Sequence, residues 1–207
     1  MCPAFRPEPI RTARLDLLPL RVEHAARMAV VLADPALHTF IGGAPSTPEE
    51  LRARYERLVA GSPDPSVSWC NWVLRTRDDG HGGDGDLAGT VQATVTGRTA
   101  VTGQATVTGQ ATVTGQATVT GQGAVSGWTE AEIAWVVGVP WQGRGLASEA
   151  ARGLVGWLRE KGVPTVVAHV HPDHRASAAV AAAAGLSPTR EEQDGEIRWR
   201  SESPGQA

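Results

Sequence analysis

A chain of 207 residues, 41% of them hydrophobic and 20% charged, can bury a core without disulfides or metal, and it is too polar for a membrane protein. Its 22 acidic residues against 19 basic ones give a formal charge of -3, which offers no general attraction for a phosphate backbone and excludes nucleic acid as the expected partner. Cys2 and Cys70 have no His or Cys at ligand spacing, so neither a disulfide framework nor a metal site is predicted.

Asp16 and Pro19 interrupt the apolar run from Leu15 to Leu20, and no stretch approaches the length of a membrane span. The expected location is the cytoplasm, and no membrane partner is expected. Ile10 to Leu20 reads as a first strand closed by Pro19. Arg21 to Ala33 reads as a helix that stops before Asp34-Pro35, with Val22, Ala25, Ala26, Ala29, Val30 and Leu32 largely on one face. Thr47-Pro48-Glu49-Glu50 combines a capping box with proline at the first helical position and predicts a second helix ending near Gly61.

Val67 to Arg77 alternates, the Asp-Gly-rich segment 78–86 turns the chain, and Leu87 to Gly97 returns antiparallel. Glu132 to Val139 is apolar on both faces in its second half, as a central strand would be. A glycine loop follows. Leu146, Ala147, Ala150, Ala151, Leu154, Val155 and Leu158 then mark a helix ending at Gly162 and Pro164. Thr165 to Val170 reads as a strand, Ala176 to Ala184 as a helix closed by Gly185, and the segments flanking Gly195 as edge strands. This order predicts an α+β fold with a mixed, mostly antiparallel sheet flanked by helices.

Between the second and third of these strands, glycines recur every six residues at 97, 103, 109, 115, 121 and 127, and Gln-Ala-Thr-Val-Thr-Gly at Gln92 is repeated at Gln104, Gln110 and Gln116. An even period keeps each residue type on its own face of an extended chain, so added copies preserve register. Residues 98–127 are therefore read as a tandem-repeat insertion in a hairpin of a single domain spanning 1–207. A hexapeptide β-helix needs several turns of about three hexads, more than this repeat supplies. The free edges of such a ribbon also suit pairing with a second copy, a homodimer.

Val136 to Ala147 is an apolar strand, a glycine loop and a helix start. Gly143 and Gly145 let the backbone approach a ligand and turn N–H groups inward, the helix N-terminus adds its positive dipole end, and Arg144 can add a charge-assisted contact. This suits a pyrophosphate. The loop lacks the Lys-Ser/Thr of a nucleotide phosphate loop and the spacing of dinucleotide folds.

Gln142-x-x-Gly145-x-Ala147 resembles the pyrophosphate motif of the GNAT superfamily of N-acetyltransferases. Thr12-Ala13-Arg14-Leu15-Asp16-Leu17, Ala131-Glu132-Ile133-Ala134-Trp135, and His171 through Ser177 to Gly185-Leu186 resemble, in the same order, segments of the branch that acetylates ribosomal-protein N-termini. The resemblance covers nearly the whole chain except the repeat. It implies acetyl-coenzyme A as cosubstrate, a primary amine of a protein N-terminus or small molecule as acceptor, and direct attack in a ternary complex. Gln142, Gly143, Arg144, Gly145, Leu146 and Ala147 would hold the pyrophosphate, and backbone around Val137 and Val139 the pantetheine, with Thr165 to Val170 as the neighbouring strand.

Glu132 is placed where relatives carry a base, and a solvated strand-end carboxylate is the equal alternative. Ser177 would touch coenzyme A or relay a proton, or simply pack in the helix. His174 stands where Asn is usual, to replace its hydrogen bond or to cap the helix. The acid Tyr of many relatives falls by spacing on Ala181, and the only tyrosine is Tyr55. That departure keeps open a coenzyme A-binding module without turnover, as the repeat keeps open an assembly role. His169 and His171 are read as sheet residues. Trp69, Trp72 and Trp141 are candidates for an acceptor cleft or for the core.

Overall fold

The structure, a computed structural model, describes residues 5–77, 85–100 and 124–201. Its eight strands are β1 Ile10–Arg11, β2 Leu15–Pro19, β3 Val67–Thr76, β4 Leu87–Ala100, β5 Ala124–Val137, β6 Val166–Val170, β7 Leu186–Gln193 and β8 Glu196–Ser201. They form one sheet in the order β1-β2-β3-β4-β5-β6-β8-β7. Every neighbouring pair is antiparallel except β5 with β6. The helices are α1 Ala25–Val31, α2 His38–Ile41, α3 Pro48–Ala60, α4 Leu146–Glu160 and α5 Arg175–Ala183. This is the α+β class that the element order predicts.

Alternation along β3 sorts the two helical layers. Trp72 and Leu74 join α4 and α5 in one core, while Val73 joins α1 and α3 in the other. Trp72 is fully buried and meets Trp157 of α4 edge-on with ring centroids 5.1 Å apart, and its Nε1 donates to the Glu8 carbonyl at 2.8 Å. Burying each such large side chain stabilises the fold by roughly 1.5–3 kcal/mol. Trp72 is therefore a core residue. The capping box of α3 forms as the sequence predicts: Thr47 Oγ1 accepts from Glu50 N, and Glu50 Oε2 accepts from Thr47 N.

Four boundaries differ from expectation. The first strand breaks at residues 12–14, where Thr12 N donates to the Leu15 carbonyl and Thr12 Oγ1 accepts from Leu15 N, and it folds back as the β1–β2 pair. The first helix is shorter, a 3-10 turn Val22–His24 followed by α1. Pro35–Leu37 and α2 form a further helical segment, started by the Asp34 carboxylate accepting from Ala36 N. In the last hairpin β7 alone is an edge, because β8 is paired on both sides.

β4 and β5 remain paired into the repeat, with Gly97 opposite Trp128, Arg98 opposite Gly127 and Ala100 opposite Ala124. Repeat residues 101–123 lie outside the described residues. Since Gly97 and Trp128 already face each other, joining them directly would leave no residues for a turn. Replacing residues 99–126 with Asn-Gly gives Arg98 and Gly127 a two-residue hairpin loop of the favoured type. That variant is expected to fold with an unchanged far-ultraviolet circular dichroism shape and a melting temperature equal to or slightly above the parent's, because loop-closure entropy varies slowly with length.

Candidate active site

β5 and β6 are held together by only two residue pairs, Ala131 with Val166 and Glu132 with Val167, supplemented by Ala131 N donating to the Thr165 carbonyl at 2.9 Å. Past that point each strand is claimed by its other neighbour. Ile133 to Val137 pair with Ala93 to Gly89 of β4, and Ala168 to Val170 pair with Trp199 to Ile197 of β8. The strands therefore part. The resulting cleft of about 680 Å³ is lined by residues of β5, β6, α5 and the loop before α4, a size ordinary for a small-molecule site.

The loop closes one end of this cleft. β5 stops at Val137, and Val139–Trp141 form a 3-10 turn. Gly138 is required there, because a Cβ would stand 2.8 Å from the Val31 carbonyl of α1. Gln142 Nε2 donates to the Val137 carbonyl at 2.9 Å and so ties the loop to the strand end. Gly143 and Gly145 have φ of 70° and 75°, a left-handed conformation that side chains rarely adopt. The first backbone bond of α4 runs from Glu149 N to Gly145 O at 3.1 Å. It leaves the amides of Leu146, Ala147 and Ser148 without intrahelical partners, at the positive end of a 15-residue helix.

A polar clamp fixes this helix start. Glu149 is 8% exposed. Its carboxylate accepts from Thr12 Oγ1, Arg14 N and Arg14 Nε, each at 2.7 Å, and Arg14 Nη1 donates to the Arg144 carbonyl at 2.9 Å. Burial raises the Glu149 pKa, but hydrogen bonds from Thr12 and Arg14 and the Arg14 charge outweigh it and leave the carboxyl below its ordinary value. Neither Glu149 nor its link to Arg14 stands out in the sequence. An acidic residue three positions into a helix, with a Thr-x-Arg turn elsewhere, was the only signal.

On the cleft's sheet side, Glu132 Oε1 lies 3.0 Å from His169 Nδ1, with the carboxylate about half exposed and the imidazole 16% exposed. An ionised carboxylate only accepts, so Nδ1 carries the proton and Nε2 is left to accept one from elsewhere. The reading of His169 as a plain sheet residue is thus incomplete. The missed signal was a histidine on the strand expected beside that of Glu132. His174 caps α5 through Nδ1, which accepts from Ser177 N at 3.3 Å, and its ring lies 4.2 Å from that of Phe40. Burial, with the His171 charge a lesser cause, lowers its pKa below the ordinary 6.5.

The cleft thus brings together Glu132, Val137, Gln142, Gly143, Gly145, Leu146, Ala147, His174 and Ser177, with Trp141 and His171 also on its lining. Val139 and Arg144 are exposed and lie off that lining. Val139 opens the 3-10 turn and does not continue the strand, and Arg144 contributes its carbonyl to the clamp. Among the described residues, no group of three or more His, Cys, Asp or Glu is arranged to hold a metal ion, and no helix is long and apolar enough to cross a membrane.

A parted parallel pair beside a glycine loop and a helix N-terminus defines a cleft for an extended ligand with an anionic end. The model of the acetyltransferase (GNAT) domain matches residues 14–187. The chain belongs to the GNAT acetyltransferase family and is an acyltransferase by that membership. Among solved structures, an acetyltransferase from Agrobacterium tumefaciens is similar at 19% identity and a TM-score of 0.59, covering 98% of this chain and 99% of that one. RimL, a ribosomal-protein alpha-N-acetyltransferase solved with coenzyme A, is similar at 14% and 0.63, covering 93% and 97%. A microcin self-immunity acetyltransferase, MccE, solved with acetyl-CoA and AMP, is similar at 13% and 0.59, covering 91% and 92%. None of the curated proteins matches.

Two outcomes follow from the clamp and the cap. Replacing Glu149 with Ala should lower stability in urea denaturation by about 2 kcal/mol, less than for a fully buried ion pair because Arg14 is half exposed. For His174, a folded pKa below the unfolded value means that its contribution is complete above pH 6.5 and is lost as pH falls from there through the lower folded value. The urea midpoint should fall between pH 7.5 and 5.5, and it should fall less in His174→Asn, which keeps the cap without the titration.

Proposed function

We propose that this protein transfers the acetyl group of acetyl-coenzyme A to a primary amine by direct attack in a ternary complex, acting in the cytoplasm. The observation that carries the reading is the opening between β5 and β6, which leads from the free amides at the start of α4 to the Glu132–His169 pair. The pyrophosphate is assigned to the amides of the loop and helix start, Gly143 to Ala147, with Gln142 and the Arg14–Glu149 clamp holding that backbone in place. The pantetheine arm is assigned to the open edge of β5, up to Val137, where its amide groups can continue the interrupted ladder. MccE binds acetyl-CoA and RimL binds coenzyme A in their own structures, which is consistent with this cosubstrate here.

In the proposed reaction the amine nitrogen forms a bond to the thioester carbonyl carbon and the carbon–sulfur bond breaks. The proton lost by nitrogen passes to the Glu132 carboxylate or to His169 Nε2, and the thiolate takes a proton as it leaves. Ser177 and the Nε2–H of His174, both on the cleft lining, are assigned to hydrogen-bond the departing thiolate, which takes its proton from water.

Acetyl-coenzyme A should raise the melting temperature, since a ligand at 100 times its Kd stabilises by about 2.7 kcal/mol. Gly145→Val should abolish that shift. Glu132→Gln should keep the shift while lowering kcat about 100-fold or more in a thiol-release assay, the usual contribution of a general base. A full shift with Gly145→Val would sink the pyrophosphate assignment, and undiminished kcat in Glu132→Gln would return that carboxylate to a solvated strand end.

A further inference from the structure

A second cavity, of about 400 Å³, lies on the other side of β5 between the sheet and the layer of α1 and α3. Its floor is a cross-strand row: Asn71 opposite Gln92, and Gln92 opposite Ala134. Glu132, two residues before Ala134, points to this same sheet face, because Ala131 and Ile133 face the α4 core. Leu37, Ala134, Trp135 and Val136 line both cavities. The candidate base thus lines the first cleft alone, on the sheet face that floors the second cavity and two residues from Ala134, which the two spaces share.

The cavity holds polar atoms with nothing to bond. Tyr55 is 3% exposed and its hydroxyl has no hydrogen-bond partner. Burial pushes its pKa up to about 12, which keeps it a neutral hydroxyl. His38 Nδ1 lies 3.2 Å from the Gly42 carbonyl and must donate to it, so Nε2 presents a lone pair, and that atom is also buried without a partner. A buried polar atom left without a partner is destabilising in a fold that gains nothing from it. Helices α1 and α3, with the residue that follows α1, supply an apolar wall of Ala29, Leu32, Leu51 and Leu58. Among the described residues no carboxylate lines the space, and the only permanent charge is the Arg54 guanidinium on an exposed position.

The geometry points to this cavity as the acceptor site, built for a primary amine on an apolar body with a carbonyl or carboxylate close to the amine, as in an apolar amino acid, its amide or the first residue of a peptide. The inference rests on the acetyl-transfer reading above. Apolar walls take the body, Tyr55, Gln92 and Asn71 offer donors to the carbonyl oxygen, and Arg54 favours an anion at the mouth. A polyamine or aminoglycoside would bring several ammonium groups into a space with no carboxylate on its lining to pair them, and unpaired buried charge is strongly disfavoured. The size suits one apolar residue, so the free molecule and the peptide end share the chemistry that is read.

Thiol release from acetyl-coenzyme A is measured with leucine, leucinamide, a leucine-headed dipeptide, spermidine and kanamycin, alongside thermal shift by acetyl-coenzyme A alone. The expected result is a kcat/KM for one of the leucine compounds at least tenfold above those of spermidine and kanamycin; which compound leads identifies the free metabolite or the peptide end as source. Tyr55→Phe should raise KM for that compound about five- to tenfold with acetyl-coenzyme A affinity unchanged. Preference for spermidine or kanamycin would overturn the inference, as would an unchanged KM with a raised melting temperature in Tyr55→Phe, the signature of a hydroxyl that is merely unsatisfied. Thermal shift by acetyl-coenzyme A without turnover of any leucine compound overturns the acceptor assignment alone. Absence of any shift overturns the acetyl-transfer reading and the inference with it.

Discussion

The two-pair parallel contact between β5 and β6 is the constraint on which the rest of the site depends. A strand inside a sheet normally bonds on both edges, and backbone groups left unpaired away from water cost free energy. Here the long β4–β5 ladder and the β6–β8 ladder each satisfy one edge of the two central strands. Their facing edges can then part after Glu132 and Val167 without unravelling the sheet. The open edge lies in the middle of the molecule, flanked by α4 and α5, where a ligand can pair with it and a second copy of the sheet cannot reach it as easily as a peripheral strand.

Chain segments far apart in sequence hold the loop beside that opening. Two left-handed glycines set its path, and a loop of that kind has many conformations until something fixes it. The fixing groups are Gln142 on the Val137 carbonyl and Arg14 on the Arg144 carbonyl, the latter oriented by buried Glu149. Thr12 can come this close to α4 because Gly153 has no side chain, since a Cβ there would stand 2.9 Å from Thr12 Cγ2. The resemblance of Thr12 to Leu17 to a family segment thus has a physical content: it is the turn that braces the glycine loop before α4.

What was legible in the sequence follows what is local. The capping box at Thr47, the glycine loop and the apolar stripe of α4 depend on neighbours a few residues away, and their elements formed as their patterns predict. The break at residues 12–14 is marked in the sequence only by a change of phase, from Ile10 and Thr12 to Leu15 and Leu17, and the Thr12 hydroxyl that accepts from Leu15 N and donates to Glu149 fixes where it folds. His169 and Glu132 are 37 residues apart, and no local pattern reports that they share a rim. The segment Pro35–Ile41 was passed over because Pro35 reads as a stop, although proline at the first helical turn is equally a start.

The absence of a tyrosine at position 181 also acquires a physical meaning. Ala181 is fully buried in the core formed by α4, α5 and the sheet, so a phenol there would have to displace packed side chains to reach the cleft. The demand on an acid is small in the proposed reaction, because a thiol has an ordinary pKa near 8.5 and its thiolate departs at little cost near neutral pH. The amine is the harder partner. It must attack without its proton and must lose another as the amide forms, which calls for a proton acceptor beside it. Under the proposed function, the carboxylate and imidazole in hydrogen-bond contact, one on each of the parted strands, would meet that need.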